Sequence, residues 1–302
     1  MTMSDESSIR RTEPLFTVIV PTFERQQLLN EAVGSILAQT IQDFECLVVD
    51  DCSPQPSQVP ADPRVRLIRL PRNRGAAAAR NEGIRNATGK YICFLDDDDL
   101  FVSNRLELAI DGLRRAPVAI CWRSGTGVSS RRVLEGNVHD SILNDLTPHV
   151  GQTVIEHGVI PSFDESYLGA EDVEWWLRMT LNLPVTTVPA VGCEVRSHEG
   201  VRSTNGIEPR IIGSLRLLRD NHQYFDTHPQ AAAFRWKRIG LMGLAAGDRH
   251  LARRAFAASL IRRPQVKTVG HMLSSFGTSS NALTKARAIE VPKEAKRSGP
   301  TS

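Results

Sequence analysis

The stretch YICFLDDDDLF, residues 91–101, joins a run of apolar and aromatic residues to four consecutive carboxylates, Asp96 to Asp99. Carboxylates this close repel one another unless water, a cation or hydrogen bonds compensate. The apolar half reads as a short buried strand. Three similar runs precede it: FTVIV (16–20) closed by Pro21, FECLVV (44–49) ending in Asp50 and Asp51, and VRLIRL (65–70) ending in Pro71. Helical patterns lie between them. Leu28, Leu29, Ala32, Val33, Ile36 and Leu37 form one apolar stripe, and GAAAARNEGIRNA (75–87) is rich in alanine. Strand and helix alternating at short spacing predict a mostly parallel α/β sheet with right-handed crossovers. In such sheets ligands bind beyond the carboxyl ends of the strands. Pro21-Thr22-Phe23, Asp50-Asp51 and Asp96 to Asp99 are therefore expected to border one crevice.

If the backbone stays extended past residue 95, side chains alternate, so Asp96 and Asp98 point one way and Asp97 and Asp99 the other. One pair would then take a divalent cation, and the other would bond backbone or favour the start of the next helix. Oxygen ligands of this kind suit Mg²⁺ or Mn²⁺. The competing reading is a solvated acidic turn; the second acidic pair on the same edge favours the ion.

Further along, NRLELAIDGLRRA (104–116) predicts a helix and VAICW (118–122) a strand, whereas 123–160 shows no clear period. GAEDVEWWLRMTLN (169–182) reads as a helix opening on acids, with Trp175, Trp176 and Met179 at core spacing. PVTTVPAVGCEVRSH (184–198) is strand-like. From about 206 the chain becomes helical and basic. Residues 232–264 resemble one helix hairpin of tetratricopeptide type, and one pair is too few for a solenoid. The expected organisation is a lead at 1–14 and an α/β domain at 15–205. A basic helical extension at 206–283 and a charged tail at 284–302 follow, with lead and tail disordered.

Residues 201–302 carry 18 Lys and Arg against 6 Asp and Glu, a charge of +12, while the preceding 200 residues carry −9. Basic amphipathic helices suit an anionic membrane surface, an acidic acceptor or a partner; solvated helix faces are the plainer reading. Nucleic acid is not expected, since no recognition motif appears. Five cysteines without a CxxC pair read as free thiols of a reducing, cytoplasmic setting. No stretch reaches the roughly 18 apolar residues of a membrane span. GIRNATGKY (83–91) departs from the phosphate-loop spacing, and GTGVSS (125–130) precedes no helix pattern.

Several segments in order carry a resemblance: TVIVPTFER with FECLVVDDCS, then RNRGAAAARNEGI with GKYICFLDDDDLF, then FDESYLGAEDVEWWLRM. Over about residues 15–200 the chain resembles the family 2 glycosyltransferases, least so at 123–160. The resemblance implies a GT-A fold, a nucleoside-diphosphate-sugar donor, Mn²⁺ or Mg²⁺, and inversion at the anomeric carbon. By position it implies that Pro21, Thr22, Phe23 and Glu24 line the nucleoside pocket and that Asp51 accepts the base's ring N–H. Asn73, Gly75, Arg80 and Asn81 would border the nucleotide-sugar. Asp96 and Asp98 stand at the D-x-D positions, Asp98 as the firmer metal ligand. Asp97 occupies a position where the family usually has a neutral residue. Asp172, beside Glu171, stands where the catalytic base does, and His198 matches a histidine that contacts metal or diphosphate in some members. The acceptor would be a glycan, a lipid-linked sugar or a small molecule. A sugar-nucleotide nucleotidyltransferase and a non-catalytic GT-A module are the alternatives; Glu171-Asp172 followed by tryptophan favours sugar transfer.

Overall fold

A computed structural model describes residues 13–125, 131–196 and 206–276 of the 302-residue chain. Strand β1 (Phe16–Thr22) leads to helix α1 (Gln26–Leu37), β2 (Phe44–Asp50), β3 (Val65–Arg69), α2 (Ala76–Asn86) and β4 (Tyr91–Phe94). Then come β5 (Leu100–Phe101), α3 (Arg105–Leu113), β6 (Val118–Gly125), the short α4 (His139–Ile142) and β7 (Thr153–Glu156). Helix α5 (Glu171–Asn182) and β8 (Val185–Val195) complete the sheet region. Five helices follow: α6 (Ile207–Asp220), α7 (His222–Thr227), α8 (Pro229–Ala246), α9 (Arg249–Arg262) and α10 (Val266–Ser274).

The described strands form one sheet in the order β3-β2-β1-β4-β7-β6-β8-β5. β3, β2, β1 and β4 run parallel, as the alternation predicts. β7 lies antiparallel between β4 and β6, β6 and β8 are parallel, and β5 closes antiparallel on β8. β5 and β7 are new relative to the sequence reading. Each is held mainly by its sheet neighbours, and two to four residues are too few to show a period of their own.

Alternate residues of β1 face opposite sides. Val18 and Val20 pack with Leu29, Ala32, Val33 and Ile36 of α1 and with Leu106 and Ala109 of α3. Ile19 packs on the other side with Ala78 and Ala79 of α2 and with Trp175 and Trp176 of α5. Both tryptophans are fully buried, so they are core residues and not a sugar platform. Their indole N–H groups donate to the carbonyls of Pro161 (2.8 Å) and Pro148 (2.9 Å). The same core continues through Ile211, Leu217, Phe225, Ile239 and Ala255, so the C-terminal helices share it with the α/β layers. α8 and α9 form the expected hairpin: Gly247 takes the left-handed conformation (φ 81°), and Asp248 caps α9 by accepting the Leu251 N–H.

Gly89 lets the loop before β4 lie against β1. A Cβ there would stand 2.5 Å from the Thr17 nitrogen and 2.6 Å from the Phe16 carbonyl carbon, both backbone atoms that cannot swing away. Gly89→Ala is expected to destabilise the fold by about 1–3 kcal/mol. Urea unfolding checks this; an unchanged midpoint would show that β1 yields.

Candidate active site

The edge where β1, β2 and β4 end collects the expected groups. The buried Asp50 is structural: it accepts the Ser53 and Ser57 N–H groups and faces Arg69 at 3.4 Å. Asp51 faces the crevice instead. Its two oxygens accept the N–H groups of Arg74 (2.8 Å) and Gly75 (2.7 Å), which fastens the loop entering α2. Burial pushes the Asp51 carboxyl up despite those bonds. A carboxylate has about four acceptor positions, so two remain for a ligand. Glu24 and Cys52, just past β1 and β2, hold left-handed φ values of 55° and 65°. Backbone held there is strained for a non-glycine residue and clusters at ligand sites. The Glu24 N–H donates to the Ser53 hydroxyl at 2.9 Å, which ties these two loop ends together.

The four aspartates do not alternate. The Asp99 N–H donates to the Asp96 carbonyl at 3.1 Å, so the chain turns as soon as β4 ends. The turn pairs Asp96 with Asp99 and Asp97 with Asp98, which corrects the expected pairing of 96 with 98. Arg25 donates from one nitrogen to Asp97 (3.0 Å) and Asp98 (3.1 Å), and the Thr22 hydroxyl also donates to Asp97. Asp97 is therefore bound to protein groups on both oxygens. Burial pushes it up to about 6 even so. Asp96 accepts from Arg80 at 2.7 Å and lies 3.3 Å from His149 Nε2, whose Nδ1 is 3.9 Å from Asp99. Burial works against ionisation of Asp96, but Arg80 and His149 outweigh it and hold its carboxyl well below the usual range. Asp99 is pushed up to about 7, by burial first and the Asp96 charge second. Burial opposes protonation of His149, and the hydrogen bond and charge of Asp96 overcome that.

Asp96, Asp99 and His149 each offer one ligand atom, all within 4.8 Å of one another. Two carboxylates and an imidazole fit Mn²⁺ better than the all-oxygen preference of Mg²⁺. Asp98 reaches the Arg25 side of the same turn. His198 lies outside the described residues.

Arg80 ties the turn to the acids of α5. It is 6% exposed, and the charges of Asp96, Glu171 and Asp172 all act on it. Arg123 at the end of β6 is lowered by burial and feels Asp99 and Asp172. Asp172 accepts the Val173 N–H at 2.8 Å. Glu171 is raised by burial and then by Asp172, and its Oε2 has no hydrogen-bond partner. Asn81 holds the wall: its amide exchanges hydrogen bonds with the Phe163 backbone (2.7 and 2.9 Å) and reaches Glu165 (3.0 Å). Arg196 reaches from β8 to the Asp98 carbonyl and to Glu31, closing the other side. Arg25, Arg123, His149 and Arg196 are the site residues that the sequence reading did not single out, and Asp99 was expected beside Asp97 rather than Asp96. Four adjacent acids signal a need for nearby cations, but no local pattern marks which ones supply it.

Acidic strand ends facing a second acidic pair across the edge of an α/β sheet define a site suited to a divalent cation. Residues 17–154 match the model of glycosyl transferase family 2. It is 43% identical over 143 residues to a glycosyltransferase of Rickettsia felis, across 45% of this chain and 24% of that protein. It spans, then, about a quarter of that relative. An Escherichia coli UDP-Glc:alpha-D-GlcNAc-diphosphoundecaprenol beta-1,3-glucosyltransferase is 25% identical over 189 residues, 59% of this chain and 74% of that one. Among solved structures, a mannosyltransferase from Pyrobaculum calidifontis in complex with GDP-Man and Mn²⁺ matches with a TM-score of 0.56 and 17% identity. That match covers 92% of this chain and 84% of that chain. The fold is of the GT-A type. No helix among the described residues is long and apolar enough to cross a membrane.

Proposed function

We propose that this chain transfers a sugar, with inversion, from a nucleoside-diphosphate sugar to an acceptor hydroxyl in glycan or polysaccharide assembly. The observation that carries the reading is the meeting of Asp51 and the Asp96–Asp99 turn at one sheet edge, with Arg80 bonded to Asp96 and under the charges of Glu171 and Asp172. The nucleoside belongs beside Pro21, Thr22, Phe23 and Glu24, with its base donating to Asp51. Asn73 and Gly75 border the sugar-nucleotide from the loop before α2. The diphosphate belongs against Arg80 and the aspartate turn. Asp96 has the strongest claim as a metal ligand, with Asp99 and His149 from the observed cluster or Asp98 from the family position beside it. Bound there, Mn²⁺ or Mg²⁺ supplies charge stabilisation to the departing diphosphate.

An acceptor hydroxyl is a weak nucleophile until its proton is taken. Asp172 suits that proton transfer, being a half-buried carboxylate whose charge acts on Arg80 as that of Asp96 does. Attack from the face opposite the leaving diphosphate gives one displacement and inversion. The relative's lipid-diphosphate-linked acceptor makes an acceptor of that class the first to try.

The test is thermal melting with UDP, GDP, dTDP and CDP, each with and without Mn²⁺. One nucleoside diphosphate is expected to stabilise the protein in a metal-dependent way, by about 2.7 kcal/mol at a hundredfold excess over its dissociation constant. No response to any of the four would overturn the reading.

A further inference from the structure

The last described helix is turned inside out. α10 and the turn after it expose Val266 (90%), Val269 (43%), Leu273 (66%) and Phe276 (57%). Thr268 and Ser275 face inward and are fully buried, and the Thr268 hydroxyl has no hydrogen-bond partner there. At about 100° per residue the four exposed side chains fall within roughly an 80° arc, a single apolar stripe. Packing for stability alone would bury that stripe and leave the threonine in water.

The surroundings are basic. Residues 229–274 hold nine Lys and Arg against one carboxylate, Asp248. The Arg253 guanidinium lies 4.2 Å from the centre of the Phe276 ring and donates to the Ser275 carbonyl at 3.1 Å. Lys267 sits on α10 itself. Lys237 of α8 is near enough that the two lysines, after burial, oppose protonation of His271 on the helix.

The charges decide between occupants. Residues 277–302 carry five basic and two acidic side chains, so that segment shares the sign of the rim. A second copy would bring the same basic rim against itself. An anionic surface complements it, and four apolar side chains standing out of one helix match the shallow boundary between headgroups and acyl chains.

We propose that α10 docks this protein on an anionic lipid bilayer. Val266, Val269, Leu273 and Phe276 enter the headgroup–acyl boundary, while Lys237, Arg253 and Lys267 face lipid phosphates. This inference does not depend on sugar transfer, and neither does its test.

The experiment is sedimentation of the full chain with vesicles of phosphatidylcholine alone or mixed with phosphatidylglycerol, at low and high salt. The protein is expected to pellet with the mixed vesicles at low salt and to be released by high salt. The double variant V269S/L273S is expected to lose binding more than about tenfold. Lys267→Gln is expected to weaken it while leaving thermal melting unchanged. Absence from the anionic pellet would overturn the proposal, as would variants that bind like the parent chain. So would a dimer in sedimentation velocity that V269S/L273S dissociates, because the stripe would then be an interface between copies.

Discussion

Asp172→Asn is expected to slow sugar transfer by roughly 10²–10⁴-fold while nucleoside-diphosphate binding stays unchanged, the scale on which general bases act. The amide keeps the size of the carboxylate and can still accept the Val173 N–H that Asp172 accepts at the start of α5. It cannot take a proton. Glu171 is the neighbour to exclude, since burial and the Asp172 charge push its carboxyl up. A raised carboxyl takes a proton more readily, so Glu171 is the competing candidate that the two variants must separate. Single-turnover transfer measured beside nucleotide binding separates the two. Normal turnover in Asp172→Asn with loss in Glu171→Gln would move the base by one residue.

The second large effect concerns Asp96, which stands at a D-x-D position by the resemblance and lies in the cluster with Asp99 and His149. Asp96→Asn is expected to weaken Mn²⁺ binding by at least the roughly 10–100-fold that the loss of even an outer-shell partner costs. The metal-dependent part of the nucleotide thermal shift should vanish with it. Calorimetric Mn²⁺ titration reads this without any turnover. Parallel titration of His149→Ala and Asp98→Asn decides which partners complete the site. The cluster geometry predicts the larger loss for His149→Ala, and a larger loss for Asp98→Asn would place the ion on the Arg25 side of the turn. Arg25 already bridges Asp97 and Asp98, so an ion on that side must displace or share it.

The parallel strands and most helices were legible because each carries its own period. FTVIV, FECLVV and YICFL are uninterrupted apolar runs, and α1 and α5 repeat their apolar residues at helical spacing. Asp51 and the aspartate run were legible as strand ends. The run's internal geometry was not. Whether a chain stays extended or turns after a strand depends on what receives its side chains. Here Arg25, Arg80 and His149 come from three distant segments. His149 sits in the 123–160 stretch, where short elements such as β7 are held by neighbours and not by local pattern.

The sequence by itself determined the α/β layering, the common edge for Asp51 and Asp96 to Asp99, and the basic character of the C-terminal helices. These follow from periodicity and charge, which are properties of neighbours along the chain. Only the tertiary structure decided that Asp96 pairs with Asp99 against His149, that Asp97 is held by Thr22 and Arg25, and that α10 turns its apolar side outward. Each of these depends on which remote groups arrive at a side chain. Burial and charge pairing act through space, and no spacing along the chain encodes them.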